Sequence, residues 1–524
     1  MPVSSLFKKF IFIIMIFIVG AAFIASLLKW NQDPSRENVP EEENSFRPDY
    51  HFTTPDKWKN DPQKPVYHNE KYHYYYLYNR DYPEGNGTEW RHATSTDLVN
   101  WKDEGVAIPK YTTENGDPWS GSLVIDHDNT AGYGENAFVA ILTQPSKDGQ
   151  QEQYLWYSTD GGYTFQQEKQ EPVLPNQGGK DFRDPKVIWN EEYNKWVLLL
   201  AEGTKIGFYE SQNLKSWTYT GSFETNKLGV LECPDLFQIR ASNGTVKWVL
   251  GVSANGEEQG KPANYAYWTG EFDGKEFHAE EHEPQWLDYG HDWYGAVTFE
   301  SEGNSLDYRY AFAWMNNWSY ANHTPSMEKD GFNGMDSIVR RIELKQREEG
   351  GYALYSTPIK ELDQLVSSEE AVNNIVLADE SKTLDLKAES YRIEAEIQWE
   401  NTKNVGLRLR ESDDQTRHID AGISVDNHYS YVNRSYTDNP DKEGRYQESQ
   451  APFATKNNRA KLTILVDKMS VEMFVDDGLV THSNLVFPPR GDKGITLYSI
   501  GGRAEFKNVK VEILDSKTTK KDLP

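Results

Sequence analysis

From residue 48 onward, apolar positions come in short aromatic and β-branched runs separated by Gly, Asn and Asp turns, and amphipathic helical periodicity is nearly absent before Ile359. Runs of that kind bounded by turn residues predict strands, so the pattern predicts an all-β chain. One strand type returns five times, at Lys71–Tyr78, Asn136–Leu142, Lys195–Leu200, Lys247–Val252 and Arg309–Trp314, with intervals of 65, 59, 52 and 62 residues between first positions. A second element returns with it: Ser95–Trp101, Ser158–Phe165, Ser211–Trp217 and, more weakly, Thr269–Phe277, each a polar turn closed by an aromatic. Self-similarity at this period predicts four-stranded blades, and five copies predict a five-bladed β-propeller over residues 48–355.

A linker is expected at 356–370, where Leu354–Leu365 reads as a connection ending in a helical turn or two. Strict alternation follows: Ile393, Ala395, Ile397 and Trp399 are apolar while Arg392, Glu394, Glu396 and Gln398 are polar. Lys461–Asp467 and Ser470–Val475 form a second such pair around a turn. Half-buried strands of this kind predict a β-sandwich over 371–516, with a tail at 517–524. At the other end, Lys8-Lys9 precedes an uncharged apolar run, Phe10–Leu28, and an acidic linker at 31–47. A basic start followed by an apolar run is an export signal. The run also approaches the length that spans a bilayer, so residues 1–30 fit either a cleaved signal peptide or a retained membrane anchor. The expected location is extracellular, secreted or anchored to the outer face of the cell membrane.

The formal charge of −27 excludes nucleic acid as a ready partner, because phosphate binding needs clustered Lys and Arg. Aromatics make up 13% of the chain, with 31 Tyr and 16 Trp. Flat rings suit the faces of sugars. The single cysteine, Cys233, makes neither an internal disulfide nor a zinc cluster. No Gly-rich phosphate loop follows a strand, and no cofactor is expected. The chain is expected to act as a monomer.

The segments that enter the strand before each repeated strand carry the candidate chemistry. They are Trp58–Pro62, Trp119–Ser122, Phe182–Pro185, Glu232–Asp235 and Asp292–Gly295. The strand they enter is innermost in a propeller, so Asp61, Asp184, Glu232 and Asp292 are expected to converge at one mouth of the channel. Paired carboxylates in a restricted site perform acid/base and nucleophilic work when their environments differ. In glycoside hydrolysis one carboxylic acid protonates the leaving oxygen, and the other attacks the anomeric carbon or activates water. A calcium site is the rival reading. Nearby Trp58, Trp90, Trp119, Trp293, Trp314 and Trp318 favour a sugar. An Asp-Pro pair taken alone is only a turn signal.

Trp58-Lys59-Asn60-Asp61-Pro62-Gln63-Lys64, Phe182-Arg183-Asp184-Pro185 and Glu232-Cys233-Pro234-Asp235 resemble, in order and spacing, the three boxes of the β-fructosidases of glycoside hydrolase family 32. Trp119-Ser120-Gly121-Ser122 and Trp314–Trp318 fit as well. The resemblance covers residues 48 to the C-terminus and implies a propeller followed by a sandwich. It also implies retention of configuration, which would set Asp61 and Glu232 about 5–5.5 Å apart. By resemblance Asp61 is the nucleophile, Glu232 the acid/base and Asp184 the transition-state stabiliser, with Arg183 keeping Asp184 ionised. Asn60, Trp58, Arg183, Trp90, Trp119, Ser120, Ser122, Asp292 and Trp314 are the expected substrate contacts, and no residue is assigned to a metal. There are departures: Gln63-Lys64 ends the first box, Trp90-Arg91-His92 replaces a common Trp-Gly-His, and Leu77 stands where many relatives carry Gln. These features, with Tyr50–Trp58, resemble bacterial levanases that cut levan internally and release levanbiose. The expected partners are therefore levan and fructo-oligosaccharides. An exo-acting β-fructosidase, an arabinanase- or xylosidase-like propeller and a non-catalytic sugar-binding propeller remain as alternatives. The sandwich is expected to brace the propeller, and residues 429–446 could overhang the cleft.

Overall fold

A computed structural model describes residues 45–515, apart from 85–86, 226, 258–261 and 455–456. The chain is almost entirely strand. Five sheets follow one another, with innermost strands Lys57–His68, Gly121–Asp126, Arg183–Asn190, Val230–Arg240 and Tyr294–Phe299, one each in blades 1 to 5. Each pairs antiparallel with the repeated strand identified from sequence, for example Trp196↔Trp189 in blade 3 and Trp248↔Gln238 in blade 4. The innermost strands touch in ring order, and that of blade 5 packs on that of blade 1. Phe332–Asn333, which lies between strands of blade 5, crosses to pair in parallel with Lys57–Trp58 and helps close the ring.

The repeated polar turn has a local cause. Ser95 Oγ accepts the N–H groups of Asp97 and Leu98, and Asp97 Oδ1 accepts those of Val99 and Asn100. Ser158 and Asp160 do the same in blade 2, as do Ser211 and Asn213 in blade 3. Side chains this short can replace the backbone partners a tight turn lacks, so the same sequence returns wherever the same turn is needed.

The sandwich has a seven-stranded sheet built around Tyr391–Glu400 and Arg503–Leu514, facing a six-stranded sheet built around Asn404–Glu411 and Gly494–Ile500. Ile393, Ala395, Ile397 and Trp399 enter the core between them. Arg392 breaks the alternation. It is buried because Glu512 and Asp363 satisfy its guanidinium. The connection is shorter than 356–370. Tyr352–Pro358 completes blade 5, Lys360–Leu365 forms a tight helical turn, and Val366–Val372 is already a sandwich strand paired with Arg503–Leu514.

Propeller and sandwich meet along a seam that is partly apolar, with Tyr50, Phe312, Leu362, Leu465 and Phe474 in one cluster. The rest of the seam is ionic. His51 Nδ1 lies 2.8 Å from Asp467 and its Nε2 2.9 Å from Glu472, while Arg340 bridges Glu472 and Asp288, all fully buried. The apolar run Phe10–Leu28 and the tail 517–524 lie outside the described residues. Among the described residues no helix is long and apolar enough to cross a membrane.

Candidate active site

The mouth of the channel is shaped by one repeated irregularity. In blades 1, 3, 4 and 5 the innermost strand carries one more residue than its partner, between Lys59 and Pro62, Arg183 and Lys186, Glu232 and Asp235, and Tyr294 and Val297. Two of the four bulges contain a proline, Pro185 or Pro234, and Pro62 closes a third. Proline has no N–H to give the ladder, so the ladder must skip there. A bulge bends its strand and re-aims the flanking side chains. In blades 3, 4 and 5 the first bulge residue is left-handed: Asp184 at φ 59°, Cys233 at φ 46° and Gly295 at φ 61°. Strain of this kind in non-glycine residues collects at functional sites.

This register corrects one expectation. Asp184 corresponds to Cys233 and Gly295, whereas Glu232 corresponds to Arg183 and Tyr294. Asp292 sits two residues too early to join the ring. Its carboxylate turns to the seam, where Arg434 of the sandwich, the Tyr320 hydroxyl and the Leu485 N–H bind it, and it is fully buried. Tyr294 takes the place expected for Asp292.

Asp61 Oδ2 accepts a 2.6 Å hydrogen bond from Ser120 Oγ, and Oδ1 is left without a hydrogen-bond partner beside Gly295. Any Cβ at 295 would lie 3.0 Å from that oxygen, which explains the glycine there beyond its positive φ. Burial pushes Asp61 up to about 6. The Glu232 charge adds to this, and the Ser120 and Asn60 hydrogen bonds and the Lys59 charge oppose it. Asp184 Oδ2 accepts the Cys233 N–H at 3.2 Å. Burial also pushes Asp184 up, with Glu232 adding and Arg183 opposing. The Cys233 thiol lies between the two aspartates, 3.9 Å from Asp61 and 3.8 Å from Asp184.

Glu232 is fixed differently. Arg183 donates to Oε1 through Nη2 at 3.0 Å and Nε at 3.2 Å, and the Tyr294 hydroxyl donates to Oε2 at 2.5 Å. Arg183 also binds Asp181 at 2.5 Å. The charge of Arg183 acts on Asp184 through space in the expected direction, while its hydrogen bonds go to Glu232, Asp181 and Gln151. Among the described residues no group of three or more His, Cys, Asp or Glu side chains is placed to hold a metal ion.

Of the expected substrate contacts, the Trp58 indole donates to Asn60 Oδ1 at 2.9 Å and stacks on Tyr82 at 5.0 Å between ring centres. Trp119 is half-buried at the rim. Two others are structural. Trp90 is fully buried between blades 1 and 2, where its indole N–H holds the Trp119 carbonyl. Ser122 Oγ accepts the Val187 N–H within the ring. Trp314 is also fully buried, beneath Trp58 and the exposed Trp318. Leu77 packs in the same cluster as Trp90. The sequence reading missed the parts played here by Tyr294 and Glu257. Tyr446 of the sandwich reaches over to donate to Glu257 Oε2 at 2.5 Å and lies 3.0 Å from Ser319 Oγ.

Comparison with known proteins agrees along the whole described chain. Residues 51–358 match the Glycosyl hydrolases family 32 N-terminal domain, and residues 361–513 match the Glycosyl hydrolases family 32 C terminal domain. The chain is 57% identical over 506 residues to the levanbiose-producing levanase of Bacillus subtilis (strain 168), covering 95% of this chain and 97% of that one. It is 60% identical over 397 residues to the levanbiose-producing levanase of Geobacillus stearothermophilus, covering 75% of this chain and all of that one. Among solved structures, exo-inulinase from Aspergillus awamori superposes with a TM-score of 0.81 at 26% identity, covering 92% of this chain and 99% of that one.

Proposed function

The chain belongs to glycosyl hydrolase family 32, and from that premise we propose that it hydrolyses levan, the β-2,6-linked fructan, releasing levanbiose with retention of configuration. It is a glycoside hydrolase acting on fructans. The observation that supports the division of roles is the unequal fixing of two carboxylates that act on each other across the mouth. Asp61 is anchored through one oxygen only, whereas Glu232 is held at both. A nucleophile needs a free oxygen, and an acid/base needs a fixed one.

In the first step Asp61 attacks C2 of a fructosyl unit, and the C2–O bond to the next unit breaks. Protonated Glu232 gives its proton to that leaving oxygen, and a fructosyl ester forms on Asp61. In the second step Glu232 takes a proton from water, whose oxygen attacks C2 and frees Asp61. Two inversions give net retention. Asp184, one residue from Arg183 and hydrogen-bonded to the Cys233 N–H, holds hydroxyls of the reacting sugar. The relatives named for levanbiose supply the linkage and the product. The enzyme works outside the cell as a monomer, released or retained at the membrane through Phe10–Leu28, because a polymer is cut before its fragments are imported.

Purified enzyme on levan, with products resolved by chromatography in the first per cent of digestion, tests this. Levanbiose should dominate, and inulin, sucrose and arabinan should be poor substrates. Free fructose as the first product, or a preference for inulin, overturns the reading. Asp61→Asn should still bind levan while losing nearly all turnover.

A further inference from the structure

The exposed ring of Tyr111 is held in place far more firmly than a surface side chain requires. It is 66% exposed, and its backbone is left-handed at φ 64°. That conformation is disfavoured for a bulky residue and persists only where the surroundings impose it. Its N–H donates to Asp117 Oδ1 at 3.1 Å, and its hydroxyl donates to Asp81 Oδ2 at 2.8 Å. The ammonium of Lys110 stands 4.7 Å from the ring centre. Lys110 is itself buried, ion-paired to Asp81 at 2.6 Å and hydrogen-bonded to Asn79 Oδ1 at 2.9 Å. An aromatic that is exposed, fixed in orientation and backed by a buried cation is a preformed platform, and its ordering cost is met before any ligand arrives.

Two short routes connect this platform to Asp61. Through Asp81 it adjoins Tyr82, which stacks on Trp58, whose indole binds Asn60. Through Asp117 it adjoins Trp119 and Ser120, and Ser120 binds Asp61. Both routes run through blades 1 and 2. Glu232 stands across the ring in blade 4, with its anchors in blades 3 and 5. The sugar leaving under protonation lies on the Glu232 side, so the sugar preceding the reacting unit extends toward the Asp61 side, where Tyr111 stands.

We propose that Tyr111 is the stacking platform for the second fructosyl unit on the non-reducing side of the scissile bond, with Asp81 as its hydroxyl acceptor, and that it sets the disaccharide as the unit of release. This rests on the levanbiose reading above. Binding energy at such a remote subsite raises turnover on polymer and does nothing for a substrate too short to reach it.

The test compares wild type, Tyr111→Ala and Tyr111→Phe on levan and on sucrose, which fills only the two positions flanking the cleaved bond. Tyr111→Ala should lose on the order of tenfold in kcat/KM on levan, the loss of one stacked ring. Its sucrose kcat/KM should stay within about twofold, and the share of free fructose and odd-numbered products should rise. Tyr111→Phe keeps the ring and should keep most of the levan activity. Equal losses on levan and sucrose, or an unchanged levan kcat/KM in Tyr111→Ala, overturn the proposal. The identity of the wild-type product is read first and tests the levanbiose reading separately. The ratio of the two substrate losses tests the platform whatever that product is.

Discussion

Replacing His51 by Gln removes one positive charge from the buried seam while leaving a side chain able to hydrogen-bond. The wild-type network holds His51 and Arg340 against Asp467, Glu472 and Asp288, with every side chain fully buried. Burial alone would pull the imidazolium down. Its hydrogen bonds to Asp467 and Glu472, and their charges, outweigh burial and take it from 6.5 to about 9. At about 1.4 kcal/mol per pH unit, that difference corresponds to roughly 3 kcal/mol of stability. Removing one partner of a buried ion pair costs about 3–5 kcal/mol by a separate route, so the two figures meet near 3. The folded chain keeps this proton to about pH 9, whereas the unfolded chain releases it near 6.5. The stabilisation is therefore whole below about pH 6.5 and fades as pH rises through about 9. Burial pushes Asp467 and Glu472 up, but the His51 contacts and, for Glu472, the Arg340 charge more than reverse it, and both carboxyls end below their ordinary range. Their contribution is present above about pH 4–5 and is lost as pH falls. Near pH 6 all three contribute in full. Denaturant unfolding followed by tryptophan fluorescence should show the His51→Gln variant less stable than wild type by roughly 3 kcal/mol at about pH 6, with the gap largely closed by about pH 9.5. A gap under about 1 kcal/mol at pH 6, or one that does not change with pH, refutes the stabilising role of the buried ionic seam.

Activity on levan should fall as pH drops through about 6, because Asp61 then takes up a proton; Ser120→Ala removes a hydrogen bond that favours the carboxylate and should move that acid limb of kcat/KM to higher pH, and an unmoved limb assigns it to another group. Gly295→Ala places a methyl 3.0 Å from Asp61 Oδ1 at a left-handed φ, so turnover should drop about a hundredfold for a displaced nucleophile, and wild-type kcat would show that Asp61 is not held there. Glu232→Gln should reduce turnover on levan severely and on a fructoside with a good leaving group much less, since the latter needs little protonation; equal losses would make Glu232 a binding residue.

The features legible in the sequence are those with local causes. The five sheets could be counted from the strand that returns in each, and in blades 1 to 3 the Ser-x-Asp and Ser-x-Asn turns satisfy their own backbone, so the motif repeats with the geometry. The gathering of Asp61, Asp184 and Glu232 at one mouth could be read because an Asp-Pro or Cys-Pro pair stands at or beside each of them, at the entry to an innermost strand. Asp292 lacked that signal. Blade 5 bulges at Gly295 instead of at a proline, and the partner that claims Asp292, Arg434, is 142 residues away. Composition alone could not separate a buried wedge such as Trp90 from a half-buried ring such as Trp119, because both count only as tryptophans. Sequence adjacency ties Arg183 to Asp184, but the bulge between Arg183 and Lys186 re-aims the side chains that flank it. Arg183 therefore reaches Glu232 in the next blade. The start of the sandwich at Val366 was hidden for a related reason. Val366–Val372 is largely exposed, and an edge strand with few apolar positions carries little of the alternation by which strands are recognised.

Cys233 gives the site a chemical consequence separate from catalysis. It is the chain's only thiol, and burial together with the charges of Asp184, Asp61 and Glu232 pushes it well above the usual range for cysteine. Oxidants and alkylating reagents act on the thiolate. The carboxylates proposed to serve the reaction thus also disfavour ionisation of the chain's single thiol. The protection lasts only as long as they carry charge. A substitution that neutralises Asp184 makes the thiolate easier to form, and the rate at which a single reagent molecule labels the enzyme becomes an electrometer reading of its active site.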